Sequence, residues 1–289
     1  MPLPRSGTRL AIELLGTSAT PWLRLAERVD AVEQAYIRKA QKAISTSLPD
    51  IVWAIAQGSD PDQFAPDLEG LFVELWFEVM RQELPGEPKA RPSAAQALLA
   101  RPKGPQTLKD LQKLYDAWRK GLWKPKRAAS QGNKIREAYL GELQKWWKRR
   151  ADDFLQGRTF NQNEVVAAAR REVRRPLAEA RTVVRTETTS YQNQSRRDRF
   201  DRLPGITHYL FLSIRDQRTT KWCQTRHGMV LEKNTKLLEE NSPAVHWNCR
   251  SEIVPLDPDN PKHAQMIEDK SRRASNRKLE PLPKEFRRS

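Results

Sequence analysis

Cys223 and Cys249 are the chain's two cysteines, and each is followed or preceded closely by a histidine: Cys223-x3-His227 and His246-x2-Cys249. Two thiols and two imidazoles are the right number and kind of donors for one tetrahedral zinc ion. A Cys/His pair at i, i+4 converges if its segment is helical, and His-x2-Cys resembles half of a zinc knuckle. The spacings differ from those of a standard finger. Two further roles are open to the same residues: a Cys223–Cys249 disulfide, or buried thiols that act as small apolar side chains. Charged groups flank the set. Arg185 and Glu187 lie two apart on one helix, too close to face each other along one side. Glu187 is therefore expected to pair with Arg218 or Arg250 from the loops, and Asp216 lies near them in sequence. Such carboxylate–guanidinium pairs fix the geometry of a loop. A lone Glu among arginines also suits a hydrolase or transferase site. No second acid or nucleophile accompanies it in a recognisable motif, so the reading is non-enzymatic.

Positioning these residues requires a change of periodicity along the chain. Up to about residue 160 the apolar residues recur at steps of three and four. Leu25, Val29, Val32, Tyr36 and Ala40 predict a helix capped by Thr20-Pro21 and ending near Pro49. Leu68, Phe72, Leu75, Val79 and Met80 predict a second helix that stops at Leu84-Pro85-Gly86. Residues 85–105 hold five prolines and read as a linker with one short helix. Leu108, Leu111, Tyr115, Trp118 and Leu122 predict a third helix, closed by Pro125. Ile135, Tyr139, Leu143, Trp146 and Trp147 predict a fourth, following a loop through KPKRAASQGN. Two more helical segments meet at Pro176 and run to about Arg202. Then Ile206, His208, Leu210, Leu212 and Ile214 alternate with Tyr209 and Phe211, the period of a strand buried on both faces. Shorter strands are predicted at Met229–Leu231 and Ser251–Pro255. The fold class is α+β: a mostly helical region 1–160, a helix-plus-short-antiparallel-sheet unit 161–256, and an extended basic tail 257–289.

Composition bounds the partners. The 289 residues carry 52 Lys+Arg against 36 Asp+Glu, a net charge of +16, and a field of that sign favours DNA, RNA or acidic protein surfaces. Residues 101–158 hold 16 Lys+Arg and 6 Asp+Glu, which reads first as a solvated helix face. No stretch of eighteen apolar residues suggests a membrane span, and the N-terminus predicts no secretory leader. Two cysteines cannot build a disulfide scaffold, which fits a reducing compartment. Nine tryptophans are many for this length and are expected to anchor helix contacts.

Three islands in order carry a resemblance: Arg185-Thr186-Glu187-Thr188 with Ala180-Arg181 before it; Asp216-Gln217-Arg218-Thr219 leading to Cys223 and His227-Gly228; and Pro243 followed by His246-Trp247-Asn248-Cys249-Arg250. Together they resemble the phage Mu protein F-like minor head proteins, a phage head morphogenesis family. The islands cover about 80 residues, and Ser251 stands where many members have a second cysteine. The resemblance implies a non-enzymatic virion protein placed in the phage head, near the portal vertex, and in the host cytoplasm during assembly. Its implied partners are portal and major capsid or scaffolding proteins, with double-stranded DNA contacted non-specifically. The rival class is a DNA-directed enzyme, a nuclease or toxin-like transferase. No cofactor is implied. Of the two clamps for the long loop 216–249, the ion-pair network of Glu187, Arg218 and Arg250 is expected ahead of structural zinc on Cys223, His227, His246 and Cys249.

Overall fold

The computed structural model describes residues 20–83, 108–122, 124–155, 161–203, 205–214 and 216–281. The N-terminal segment judged not to be a leader, the linker at 85–105 and the last eight residues lie outside them. Helices dominate: α1 (Thr20–Ala56), α2 (Leu68–Glu83), α3 (Leu108–Arg119), α4 (Lys126–Leu155), α5 (Gln162–Glu172) and α6 (Arg174–Phe200). After α6 come β1 (His208–Leu212), α7 (Lys221–Arg226), β2 (Val230–Glu232), α8 (Lys236–Asn241), β3 (Glu252–Leu256) and α9 (Pro261–Glu268). The α+β class is as the periodicities predict. The described residues form two compact units interleaved in sequence, one drawn from 33–76 and 124–184, the other from 20–32, 77–122 and 185–281.

In the all-helical unit, α1 does not end at Pro49 but continues to Ala56 with the proline inside. An internal proline costs about 3 kcal/mol in a helix. Here Ala40, Ile44, Leu48, Ile51 and Val52 stay buried in one stripe across it, so burial of the second half outweighs the local penalty. Tyr139 on α4 donates to the Ile44 carbonyl at 2.9 Å, shortly before Pro49. The segment AASQGN also departs from the loop expectation and is helical, part of α4. Its Gly132 explains why. A Cβ there would lie 2.3 Å from the Leu68 carbonyl oxygen and 2.6 Å from Glu69 Cα. The glycine costs helix propensity but lets α4 touch the backbone of α2. Glu69 fastens the contact, accepting from Lys124 at 2.6 Å and Asn133 at 2.7 Å. Pro176 falls in the first turn of α6, where its missing N–H is harmless, and the chain breaks at Val173 instead.

In the other unit, Phe77 meets Tyr115 edge-on at 5.1 Å between ring centroids. Leu122 lies beyond the end of α3 and is 77% exposed, so the predicted stripe stops at Trp118. The sheet has order β2-β1-β3, both pairs antiparallel, with Tyr209 opposite Leu231 on one side and Pro255 on the other. Being central, β1 buries both faces. Tyr209 and Phe211 join Trp222, Met229, Leu231, Cys249 and Ile253 in one core; Leu210 and Leu212 join Val230, Val254, Leu256 and Met266 in the other.

Residues 257–281 are not an extended tail. Met266 of α9 packs under the sheet, and Arg273 bridges to Val230. Arg277 donates to the Thr225 and His227 carbonyls at 3.0 and 2.7 Å, and Arg272 to Gly228 at 3.3 Å. Backbone carbonyls left over by the turn after α7 are what these guanidinium groups satisfy.

Gly132→Ala tests the α2–α4 approach. Its Cβ has no room against backbone, so the variant is expected to lose about 1–3 kcal/mol in urea unfolding, whereas Gly141→Ala, where a Cβ meets nothing within 4 Å, is expected to be neutral or mildly stabilising.

Candidate functional site

The site is built on α6. From Thr186 to Arg196 this helix is almost wholly buried although it is mostly polar: Thr186, Glu187, Thr188, Thr189, Gln192 and Asn193 are each 2% exposed or less. Burying polar groups is unfavourable unless they are bonded. Thr186, Thr189, Asn193 and Arg196 are spaced by three, four and three, so they share one face, and that face bonds the segment 248–253. The Asn248 N–H donates to Thr186 Oγ1 at 2.8 Å, and Thr189 Oγ1 donates to the Cys249 carbonyl at 2.8 Å. Asn193 donates to the Ser251 carbonyl at 3.2 Å and accepts from the Ile253 N–H at 2.8 Å. Arg196 reaches Glu252 at 2.7 Å.

This bonding orients the His246–Arg250 motif residue by residue. Asn248 adopts φ 57°, the left-handed region that asparagine tolerates better than most residues. The turn it makes sends Cys249 inward, fully buried, and leaves Arg250 pointing toward the loop 214–220. There Arg250 forms a bidentate pair with Asp216, 2.7 Å on each oxygen. Asp216 also accepts from the Arg218 N–H at 3.0 Å and from Thr219 Oγ1 at 2.9 Å, while Thr219 donates to the Ile214 carbonyl. These bonds, the Arg250 guanidinium first, hold the Asp216 carboxyl well below the usual carboxylate range. Of the residues expected to form a network, Arg250 and Asp216 pair. Arg250 grips Asp216 and not Glu187, which is buried within α6. Arg218 contributes its N–H to the turn and its side chain to the lining of a recess. Arg185 sits half-buried on the same helix as Glu187.

Of the four candidate metal ligands, three come together. Cys223, His246 and Cys249 are all buried, with their ligand atoms within 4.8 Å of one another. Cys223 Sγ is 3.0 Å from His246 Nε2. Thr220 caps α7, accepting from the Cys223 N–H at 3.3 Å, and its Oγ1 also lies 3.2 Å from His246 Nε2. The fourth candidate, His227, is elsewhere. It follows the last turn of α7, and its Nδ1 accepts the Ser213 N–H at 3.1 Å. The short helix Lys221–Arg226 ends before it, so the i, i+4 convergence with Cys223 does not occur.

The electrostatics of the three are coupled. Hydrogen bonds from Cys249 and His246 lower the Cys223 thiol to about 4 despite its burial. Cys249 is pushed well above its ordinary value by Cys223 and by burial. Burial alone would depress His246, but its hydrogen bond to Cys223 and the charge there raise it. Beside the three lies a recess lined by Arg218, Thr219, Thr220, Asn248, Arg250 and Ser251. Motif spacing does not reveal that α6 holds this site. A usable signal lies in the steps between Thr186, Thr189, Asn193 and Arg196, an unusually polar stripe on an otherwise buried helix.

Asn193→Ala strands a buried N–H and a buried carbonyl and is expected to cost about 2–4 kcal/mol by urea unfolding. Asp216→Asn is expected to cost less, about 1–2 kcal/mol, since the side chain is 32% exposed and partly screened. Because the folded carboxyl titrates below its unfolded value, its stabilisation is complete above that value and lost as pH falls through the folded one. The acid limb of the stability profile, below about pH 4, is expected to flatten in Asp216→Asn.

Residues 149–254 match the family model described as Phage Mu protein F like protein, a little over a third of the chain. No curated protein and no solved structure matches the chain. The matched span runs from the end of α4 into β3 and contains all of α5, α6, β1, α7, β2 and α8. It holds the helix that bonds the 248–253 backbone, the Asp216–Arg250 clamp and the Cys223–His246–Cys249 cluster. Through this segment the chain is similar to the phage Mu protein F-like family.

Proposed function

We propose that this chain is a minor head protein acting in phage head morphogenesis, held near the portal vertex by protein contacts and touching packaged DNA. The family match over residues 149–254 carries the reading, since that family is one of phage head morphogenesis. Charge supports the DNA contact. On α4 the side chains of Lys126, Arg127, Lys134, Lys145, Lys148, Arg149 and Arg150 are exposed, so this helix offers cations for phosphates. Among the described residues no helix is long and apolar enough to cross a membrane.

The tryptophans support docking less than their number suggests. Trp146, Trp147 and Trp222 are buried within the protein, and Trp53, 41% exposed, together with Phe64 at 44%, is what α1 and the following turn offer to a portal or capsid subunit. Nor do all the C-terminal arginines serve DNA, because Arg272 and Arg277 are engaged with backbone carbonyls.

Mass spectrometry of purified virions and procapsids is expected to find this chain at a few to a few tens of copies; its absence from both would overturn the reading. Isolated protein is expected to bind duplex DNA without sequence preference and to weaken steeply with salt. Replacing Lys148, Arg149 and Arg150 together by alanine should lower the slope of log affinity against log salt by up to about 3. Affinity that ignored ionic strength would remove DNA from the proposal, and cleavage of DNA by the purified protein would favour the enzymatic rival.

A further inference from the structure

We propose that Cys223 Sγ, Cys249 Sγ and His246 Nε2 bind one zinc ion, with the fourth tetrahedral position facing Ser251 and the adjoining recess and filled by water. Such a site is independent of the head-protein reading, and its ligand set differs from the one that spacing alone suggests. Three donors of the soft and borderline kinds that zinc prefers converge from two separate segments. All three residues are 3% exposed or less, so no bulk water competes for the sulfurs.

The imidazole is prepared for a metal. His246 Nδ1 lies 2.9 Å from the Trp247 carbonyl, which only accepts, so Nδ1 carries a proton and Nε2, 3.0 Å from Cys223 Sγ, is the nitrogen that would bind the metal. A backbone carbonyl fixing the far nitrogen is the usual outer support of a metal-bound histidine. Trp222 packs edge-on against the ring at 6.0 Å and limits its rotation. The cysteines are held as firmly. Cys223 lies in the capped first turn of α7, and Cys249 is fixed by the Thr189 bond to its carbonyl.

The fit requires little movement. With Zn–S near 2.3 Å and Zn–N near 2.0 Å, tetrahedral ligand atoms lie about 3.5–3.8 Å apart. Cys223 and His246, at 3.0 Å, need to part by about 0.5 Å. Two thiolates and a neutral imidazole give a Zn2+ complex of zero net charge, which suits a buried place. Ser251 lines the recess together with Cys223 and His246, which puts position 251 beside the proposed open corner of the tetrahedron. The ion would tie α7 to the segment 246–249 and so close the long loop that begins at Asp216.

The test uses the full-length protein purified without chelator, with Zn2+ and Co2+ as the probes. One zinc per chain is expected by elemental analysis. Exchange with Co2+ should give thiolate-to-cobalt charge-transfer absorption and the visible bands of a tetrahedral site. His227→Ala should retain both signals, whereas Cys249→Ser and His246→Ala should lose them. Ser251→Cys would add a third thiolate at the open corner and is expected to tighten zinc at least about 10-fold in chelator competition. If Cys249→Ser fails to fold, the wild-type cobalt spectrum and the His227→Ala and Ser251→Cys variants still decide. Protein that neither retains zinc nor takes it up from micromolar solution overturns the proposal. So does one whose cobalt spectrum lacks thiolate bands, or one whose zinc is lost with His227→Ala. Alkylation of Cys223 in metal-free protein that stays indifferent to added zinc would also overturn it, in favour of a bare thiolate–imidazole pair.

Discussion

A helix and an extended segment rise at different rates, and the C-terminal unit depends on a place where the two rates agree. Four residues of helix advance about 6 Å, and two residues of extended chain advance about 6.6 Å. Thr189 and Asn193, four apart on α6, bond the carbonyls of Cys249 and Ser251, two apart on the chain that becomes β3. The helix thereby acts as a partner for backbone groups that no strand reaches. Side chains with an oxygen and, for asparagine, an amide can do this; leucines on the same stripe would have left those groups buried and unbonded.

Once residues 248–253 are fixed, alternation does the rest. Cys249, Ser251 and Ile253 face inward, while Asn248, Arg250 and Glu252 face the other way. Cys249 and Ile253 complete the core under Tyr209 and Phe211, and Arg250 is delivered to Asp216. A slip of one residue would exchange the two sets, placing a guanidinium in the core and a thiol at the surface. The cluster of Cys223, His246 and Cys249 is a product of the same register, because His246 and Cys249 are presented by the turn that Asn248 makes possible.

Cations in this unit do structural work that net charge conceals. Arg226 stacks on Trp222 at 4.0 Å and donates to Asn241 and to the Glu280 carbonyl. Arg272 and Arg277 close the turn after α7. Guanidinium groups suit the task because each supplies several donors in a fixed plane and stacks on aromatic faces. On α4, by contrast, Lys126, Arg127, Lys134, Lys145, Lys148, Arg149 and Arg150 are exposed.

By itself the sequence determined the element types and the neighbourhood of the site. Periodicity is local, so the apolar steps of α2 and α3 and the alternation of β1 were legible, as were the paired Cys and His residues and the three islands of family resemblance. Tertiary structure decided what depended on partners distant in the chain. Pro49 stays inside α1 because the stripe beyond it has a core to enter, and Gly132 stays inside α4 because α2 comes too close for any side chain. Asp216, not Glu187, pairs with Arg250, since the turn at Arg218 and Thr219 aims that carboxylate at the segment α6 has fixed. His227 leaves the cluster because α7 ends at Arg226, one residue short of the helical spacing of four from Cys223. Spacing fixes which residues are able to meet; packing against elements far away in sequence selects the ones that do.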